Sequence, residues 1–204
     1  MGGSQNDILR AWRKAQREAL VAARQRVDPI TLGQWCAAID QFLEREFTDL
    51  SAGIVAFCWP IKNEYDARRL ARRVRERGGT TALPVVIAPG TPLEFREWHP
   101  GVEVAIGALD IPYPTVSPKV VPTTLLVPMN GFDAAGYRLG YGAGFFDRTL
   151  AALPERPRTI GVAYELSRMA TIRPQSYDIP MDFVVTERAL YRRVDGLLVT
   201  VDPQ

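Results

Sequence analysis

The segment that decides the fold begins with Thr124-Leu125-Leu126-Val127 and continues, after residues 128–137, with Arg138-Leu139-Gly140-Tyr141-Gly142-Ala143-Gly144-Phe145-Phe146-Asp147-Arg148. The apolar run 124–127 has the length and composition of a buried strand. Downstream, Phe145, Leu150 and Leu153 suit one face of a helix. The order strand, glycine-rich turn, helix predicts an α/β fold with the turn at a helix N-terminus.

Glycines alternate with other residues between Gly140 and Gly144. Glycine has no Cβ, so the backbone N–H groups of such a turn can surround an anion, and the helix dipole favours negative charge there. Arg138 is placed to neutralise oxyanions, and Asp147 to hold the magnesium ion that accompanies nucleotide phosphates. The pattern therefore predicts a nucleotide phosphate loop, and the alternative is a tight turn whose glycines only relieve strain. The spacing excludes both a Walker A loop and a G-x-G-x-x-G dinucleotide loop.

Strand-like and helix-like segments alternate along the rest of the chain. Apolar runs of strand length occur at 54–59, 82–87, 159–163, 183–186 and 197–201, and helical periodicity occurs at 8–27, 32–47 and 66–77. This alternation predicts one domain over residues 1–204, a three-layer α/β/α sandwich with a mostly parallel central sheet. We expect residues 1–7 to form a disordered tail, residues 89–122 to form short strands and loops, and residues 189–192 to form a turn.

Composition limits the classes of partner. The 204 residues carry a formal net charge of +2, so no global field favours nucleic acid or membrane binding. No apolar run approaches the roughly 20 residues that span a bilayer, and the N-terminal residues show no signal peptide. We therefore expect a cytoplasmic protein without nucleic-acid or membrane partners. Cys36 and Cys58 lie in apolar surroundings and are expected to be reduced and buried.

Several segments resemble the 5-formyltetrahydrofolate cyclo-ligase family, also called 5,10-methenyltetrahydrofolate synthetases. Residues 128–133 (PMNGFD) and 136–148 resemble its signature, and residues 178–187 (DIPMDFVVTE) resemble its C-terminal motif. Residues 61–66 (IKNEYD) resemble its acidic substrate motif, and residues 93–98 (LEFREW) its middle segment. The resemblance implies the three-layer α/β fold and an ATP-dependent ligase. Its reaction would convert 5-formyltetrahydrofolate, a reduced folate, into 5,10-methenyltetrahydrofolate with release of ADP and phosphate.

The resemblance also implies how ATP is held. In the family, a basic N-terminal helix contributes a Lys and an Arg to ATP. Both Arg10 with Lys14 and Arg13 with Arg17 have the required i, i+4 spacing, and Lys14 and Arg13 are preferred, with Arg10 next. Arg138 and Asp147 are the expected catalytic residues. The expected ATP contacts are Arg10, Arg13, Lys14, Arg138, Gly140, Tyr141, Gly142, Ala143, Gly144, Phe145 and Phe146. The alternative for the basic helix is a solvated face.

Glu64 and Trp59 are the expected folate contacts outside the glycine-rich loop. Glu64 precedes a helix, where an acid stabilises the N-terminus, whereas the resemblance makes it a contact to the polar pterin-side groups of the folate. Trp59 would line the same pocket or pack in the core. Further folate contacts are expected from Tyr141, Gly142, Gly144 and Phe145. Since ligands gather beyond the carboxyl ends of parallel strands, residues 59–66, the loop and residues 186–187 are expected to form one site.

Asp147 and Asp178 are the expected magnesium ligands, while Asp182 can also cap the turn into the following strand. The chain departs from the family at Phe146, where a Tyr usually precedes the acid, and at Tyr177, where a His is frequent. Phe146 and the N-terminal helix, which does not reproduce the family's usual Lys-x-x-Leu-Arg order, support an alternative, a catalytically weak paralogue that binds nucleotide or folate. We expect a monomer or a weak homodimer.

Overall fold

Four α-helices lie in the part of the chain that the computed structural model describes, residues 5–107 and 110–201. They are α1 (Gln5–Gln25), α2 (Pro29–Glu46), α3 (Arg68–Glu76) and α4 (Phe145–Ala152). The strands are β1 (Ile54–Ala56), β2 (Thr80–Val85), β3 (Glu94–Trp98), β4 (Val104–Ile106), β5 (Pro112–Pro114), β6 (Thr124–Pro128), β7 (Gly131–Phe132), β8 (Arg138–Leu139), β9 (Arg158–Val162), β10 (Phe183–Val185), β11 (Leu190–Val194) and β12 (Leu197–Thr200). None of the helices in these ranges is both long enough and apolar enough to cross a membrane.

Eight of these strands form one sheet in the order β12-β11-β10-β9-β6-β1-β2-β3. The five consecutive strands β10, β9, β6, β1 and β2 run parallel to one another. The outer strands pair antiparallel: β3 with β2 on one side, and β11 with both β10 and β12 on the other. Two short antiparallel ribbons, β4 with β5 and β7 with β8, lie outside the sheet. The predicted mostly parallel central sheet is confirmed.

Apolar side chains cover both faces of the sheet. On one face, α2 and α3 contribute Ile39 and Leu70 to a core cluster that includes Val55 of β1. On the other face, Leu150 of α4 belongs to a cluster with Ala56, the residue after Val55. Successive residues of a strand point to opposite faces, so the two clusters lie on opposite sides of the sheet. This arrangement is the predicted α/β/α sandwich.

The helical boundary between α1 and α2 is set by Asp28. Its carboxylate accepts from the backbone N–H groups of Ile30 and Thr31, both at 3.0 Å, and Pro29 occupies the first turn of α2. At the other end, α1 begins at Gln5, so residues 5–7 are helical rather than part of the expected tail. Residues 1–4 of that expected tail lie outside the described residues.

Two segments differ from expectation. The apolar run 54–59 forms only the short β1, because residues 57–59 continue past the sheet towards the site described below. Residues 189–192 belong largely to β11, because antiparallel pairing with β10 and β12 extends them. Pro84 lies within β2 at a position where only β3 pairs with this strand, so it interrupts no central ladder.

Candidate functional site

The parallel strands β1, β6, β9 and β10 end at one edge of the sheet, where α1 crosses the connections that follow them. The side chains of Arg13, Arg17 and Arg24 on α1 reach Asp178, Gly140 and Lys62, respectively. These partners come from the segments after β9, β8 and β1. The edge of the sheet thus brings together residues that are far apart in the sequence, as expected for a ligand site in an α/β fold.

Arg138 and Asp147 form a buried ion pair within the predicted phosphate loop region. Arg138 Nη2 lies 2.9 Å from Asp147 Oδ1, and the Arg138 side chain is only 5% exposed. Both residues also bond to Ile179: Asp147 Oδ1 accepts from its N–H at 3.0 Å, and Arg138 Nη1 donates to its carbonyl at 2.8 Å. Burial lowers the pKa of Arg138 and Asp147 opposes this effect. The guanidinium therefore stays charged beside the loop, with Asp147 as its counter-charge.

The glycine-rich loop connects this ion pair to α4. Gly142 and Gly144 have φ angles of 97° and 65°, which side chains rarely adopt. A Cβ at Gly142 would also lie 3.0 Å from Arg17 Nη2, so the loop passes directly against α1. Gly144 precedes the first turn of α4, which contains Asp147. The first turn of a helix has N–H groups without helical acceptors, and these suit phosphate.

The basic residues of α1 divide into two groups. Arg13 binds Asp178 through a contact of 2.6 Å between Nη2 and Oδ2, and Arg17 Nε donates to the Gly140 carbonyl at 2.6 Å. In contrast, the Lys14 side chain is 73% exposed and its ammonium lies 3.9 Å from Glu18. Arg10 is exposed and forms no ion pair within the described residues. Of the two i, i+4 pairs open from the sequence, the structure turns Arg13 and Arg17 towards the site: Arg17 reaches the loop and Arg13 reaches Asp178.

Glu64 lies in a buried network with residues from two other segments. Its Oε1 accepts from the Tyr141 hydroxyl at 2.9 Å and lies 3.6 Å from Arg24 Nη2, while its Oε2 accepts from the Ile61 N–H at 3.1 Å. The side chains of Arg24 and Glu64 are 3% and 5% exposed. Burial raises the pKa of Glu64, and Arg24 is the main group that opposes this rise. Glu64 is therefore more than a surface charge at a helix start.

Arg24 is a residue that the sequence reasoning missed. It follows Arg17 by seven residues, which places both on one face of α1. That spacing was visible, but the identity of its partners depends on the loops that come after β1 and β8. Arg24 Nε donates to the Lys62 carbonyl at 2.8 Å, and Nη2 donates to the Tyr141 hydroxyl at 3.1 Å.

Glu64 lines a cavity of about 390 Å³ beside α2 and the start of α3. Cys36 and Tyr164, whose Sγ and hydroxyl oxygen lie 3.3 Å apart, also line it, as do the exposed cations Lys62 and Arg69. Trp59 is not among the lining residues. Its ring instead packs against Trp98, at 6.4 Å between centroids, and under the Arg68 guanidinium at 4.7 Å. Of its two predicted roles, the structure favours packing.

Each expected metal ligand is bound to an arginine and to a backbone N–H group. Asp147 binds Arg138, as described above, and Asp178 Oδ2 accepts from Arg13 and from the Gln175 N–H at 2.7 Å. Within residues 5–107 and 110–201, no group of three or more His, Cys, Asp or Glu side chains could hold a metal ion. Asp182 has a structural role. Its carboxylate accepts from the backbone N–H and the hydroxyl of Thr159, and these bonds connect β9 to the start of β10.

Phe146 and Tyr177, the two departures from the family pattern, lie in different environments. The Phe146 ring is half-buried, with the Arg138 guanidinium carbon 5.8 Å from its centroid. Tyr177 is 67% exposed. Phe146 therefore contacts the loop's buried ion pair, whereas Tyr177 lies at the surface.

Comparisons with known proteins agree with one another. Residues 9–187 match the model of the 5-formyltetrahydrofolate cyclo-ligase family. The chain is 31% identical over 143 residues to the 5-formyltetrahydrofolate cyclo-ligase of Escherichia coli strain K12, an alignment that covers 66% of this chain and 78% of that protein. It is 31% identical over 137 residues to the enzyme of the same name from Mycolicibacterium smegmatis, with coverage of 63% and 71%.

Two solved structures share the fold. The NMR structure of 5,10-methenyltetrahydrofolate synthetase from Aquifex aeolicus superimposes with a TM-score of 0.77 at 24% identity, covering 94% of this chain and 96% of that one. A 5,10-methenyltetrahydrofolate synthetase from Mycoplasma pneumoniae gives a TM-score of 0.70 at 22% identity, covering 86% and 98%. At these identities the likeness concerns the fold.

Proposed function

Because the chain belongs to the 5-formyltetrahydrofolate cyclo-ligase family, as the sequence predicts, we propose that it uses ATP to convert 5-formyltetrahydrofolate into 5,10-methenyltetrahydrofolate, ADP and phosphate. It is an enzyme of this family, and its chemistry is that of folate one-carbon metabolism. The observation that carries the proposal is the family match over residues 9–187, which includes every residue of the site described above.

The proposed reaction has two steps. The formyl oxygen attacks the γ-phosphorus of ATP, and the bond from that phosphorus to the bridging oxygen of ADP breaks. The N10 amine of the folate then attacks the activated carbon, loses its proton, and phosphate leaves as the ring closes. Such a reaction needs positioning and charge stabilisation rather than a covalent nucleophile. The loop from Gly140 to Gly144 would hold the phosphates, and Arg138 and Arg17 would offset their charge.

The cavity beside Glu64 suits a folate. A carboxylate accepts hydrogen bonds from the N–H groups of a pterin ring, and the buried Glu64 lines the cavity, where it also accepts from the Ile61 N–H and the Tyr141 hydroxyl. The other end of a folate carries carboxylates, and the cations Lys62 and Arg69 line the same cavity.

Magnesium would accompany the nucleotide rather than occupy a dedicated protein site. Mg²⁺ commonly takes one or two carboxylates together with substrate phosphates and water. Asp147 and Asp178 are carboxylates of that kind, and both act on the pKa of Arg138; the ion would share them with Arg138 and Arg13. When bound, the ion would neutralise charge on the transferring phosphoryl group.

The direct test of the proposed function is the absorbance of the methenyl product. Purified protein with 5-formyltetrahydrofolate, ATP and magnesium is expected to give an absorbance increase that depends on all three. An Escherichia coli cyclo-ligase assayed in parallel is the positive control. No signal where the control works would reject the activity.

Arg17 is expected to contribute more to ATP binding than Lys14. Replacing Arg17 by Gln removes a charge that lies against the loop, and loss of one charged hydrogen bond is worth roughly 1.5–3 kcal/mol. We therefore expect the KM for ATP to rise about tenfold or more in Arg17→Gln. Lys14→Gln is the matched control, since its side chain points to solvent, and should leave the KM for ATP unchanged. Equal effects of the two substitutions would contradict this assignment.

One observation favours a second candidate function. Phe146, in contact with Arg138, lacks the hydroxyl that the family usually carries there. If turnover needs that hydroxyl, the protein would bind nucleotide or folate while producing little product. Titration calorimetry separates the two functions, because a weak paralogue retains affinity for ATP or folate without forming product.

A further inference from the structure

The network around Tyr141 connects the two halves of the site. Tyr141 belongs to the glycine-rich loop, Glu64 to the connection after β1, and Arg24 to α1. The Tyr141 hydroxyl lies 3.1 Å from Arg24 Nη2 and 2.9 Å from Glu64 Oε1. A single hydroxyl group thus links the loop that would hold phosphates to the acid that would hold the folate.

The direction of these hydrogen bonds is fixed by their chemistry. A guanidinium group can only donate, so the Tyr141 hydroxyl accepts from Arg24 and directs its own proton to Glu64. Burial, and next the charge of Glu64, raise the pKa of Tyr141, so the hydroxyl keeps this proton. The chain Arg24, Tyr141, Glu64 is therefore polarised in one direction, and each bond strengthens the next.

Arg24 also restrains the backbone immediately before Glu64. Lys62 and Asn63 have φ angles of 50° and 60°, so two consecutive residues with side chains adopt the left-handed conformation. Such residues persist only where their surroundings hold them. The bond from Arg24 Nε to the Lys62 carbonyl supplies that restraint, next to the carboxylate itself.

We propose that Arg24 is a positioning residue that, through Tyr141, couples nucleotide binding at the glycine-rich loop to folate binding at Glu64. This inference rests on the proposed function, which assigns ATP to the loop and folate to the cavity. Gly142 and Ala143, at the loop tip, are exposed. Phosphates bound by the loop would restrain Tyr141, and its hydroxyl would then hold Glu64 in the orientation that accepts the folate. By thermodynamic linkage, folate would tighten nucleotide binding by the same factor.

The test is the ratio of two dissociation constants. Titration calorimetry of 5-formyltetrahydrofolate is carried out with and without a saturating non-hydrolysable ATP analogue and magnesium. In the wild type we expect the analogue to tighten folate binding by about fivefold or more. Tyr141→Phe removes only the linking oxygen and should bring the ratio close to one. Arg24→Lys keeps the charge, but a single ammonium group cannot donate to both the Lys62 carbonyl and the Tyr141 hydroxyl as two separate guanidinium nitrogens do. The ratio of this variant should therefore also fall.

Tyr164→Phe is the matched control. It removes a phenol oxygen from the same cavity, but that oxygen contacts Cys36 rather than the loop. Its ratio should equal that of the wild type, whatever its effect on affinity itself. A wild-type ratio of one, or an unchanged ratio in Tyr141→Phe, overturns the coupling. If Arg24→Lys does not fold, Tyr141→Phe decides alone. A wild type that binds neither ligand contradicts the proposed function, and the coupling with it.

Discussion

Asp147→Asn is expected to lower kcat at least about 100-fold, the scale of losing one group that stabilises charge in a transition state. The substitution removes the negative charge that would face magnesium and phosphate. It retains an oxygen that can accept from Arg138 and from the Ile179 N–H, so the local structure should persist. Asp147→Ala should lose turnover as well, but it also leaves the buried Arg138 without its carboxylate and is expected to unfold at a lower temperature.

The measurement combines steady-state rates with thermal unfolding. Asp195→Asn serves as the control, because it removes an exposed acid from the turn between β11 and β12. It should keep wild-type rates. Near-normal turnover of Asp147→Asn would remove Asp147 from any role with metal or phosphate, whatever its effect on stability.

Arg24→Met is expected to produce the largest loss of stability. The side chains of Arg24 and Glu64 are 3% and 5% exposed, so removing the arginine leaves a buried carboxylate without its counter-charge. Breaking a buried ion pair in this way costs about 3–5 kcal/mol. The pKa of Glu64 is already raised by burial, and Arg24 opposes that rise. Without Arg24 the pKa of Glu64 should rise further. The free energy of unfolding of Arg24→Met should then decrease as the pH increases through this raised pKa, because the buried carboxyl loses its proton.

The double variant Arg24→Met with Glu64→Gln tests this reasoning. Because it removes both charges, it should unfold in denaturant at a higher concentration than Arg24→Met alone. The free energy of unfolding of each variant, measured at several pH values, gives the comparison. If the double variant is as unstable as the sum of the two single variants, the pair does not interact as described.

The glycine-rich loop and its flanking elements could be predicted from the sequence because their signals are local. Thr124–Val127 is apolar over the length of a strand, and the run after Gly144 has helical periodicity, so β6 and α4 form where expected. Alternation of such segments also predicted the layers and the parallel centre of the sheet. The prediction of a turn at residues 189–192 was wrong. Antiparallel pairing with β10 and β12, rather than the composition of the segment itself, makes β11 a strand.

The site was harder to predict than the loop because long-range packing determines which side chains come together in it. Arg13 and Lys14 are adjacent, yet about 100° of helical rotation separates them, and only the docking of α1 decides which of them meets Asp178. Trp59 was compatible with two environments, and its neighbour Trp98 belongs to a distant strand. The partners of Arg24 likewise come from connections that no local pattern specifies.

The pairing of Arg13 with Asp178 also has a consequence for the order in which the site can assemble during synthesis. The first helix leaves the ribosome early, but Asp178, the acid that Arg13 binds, is made 165 residues later. Since N-terminal segments are made first, Arg13 remains without this partner until residues up to Asp178 have been made. A chain that ends before Asp178 would therefore carry the complete glycine-rich loop and still lack the acid that holds Arg13 in place.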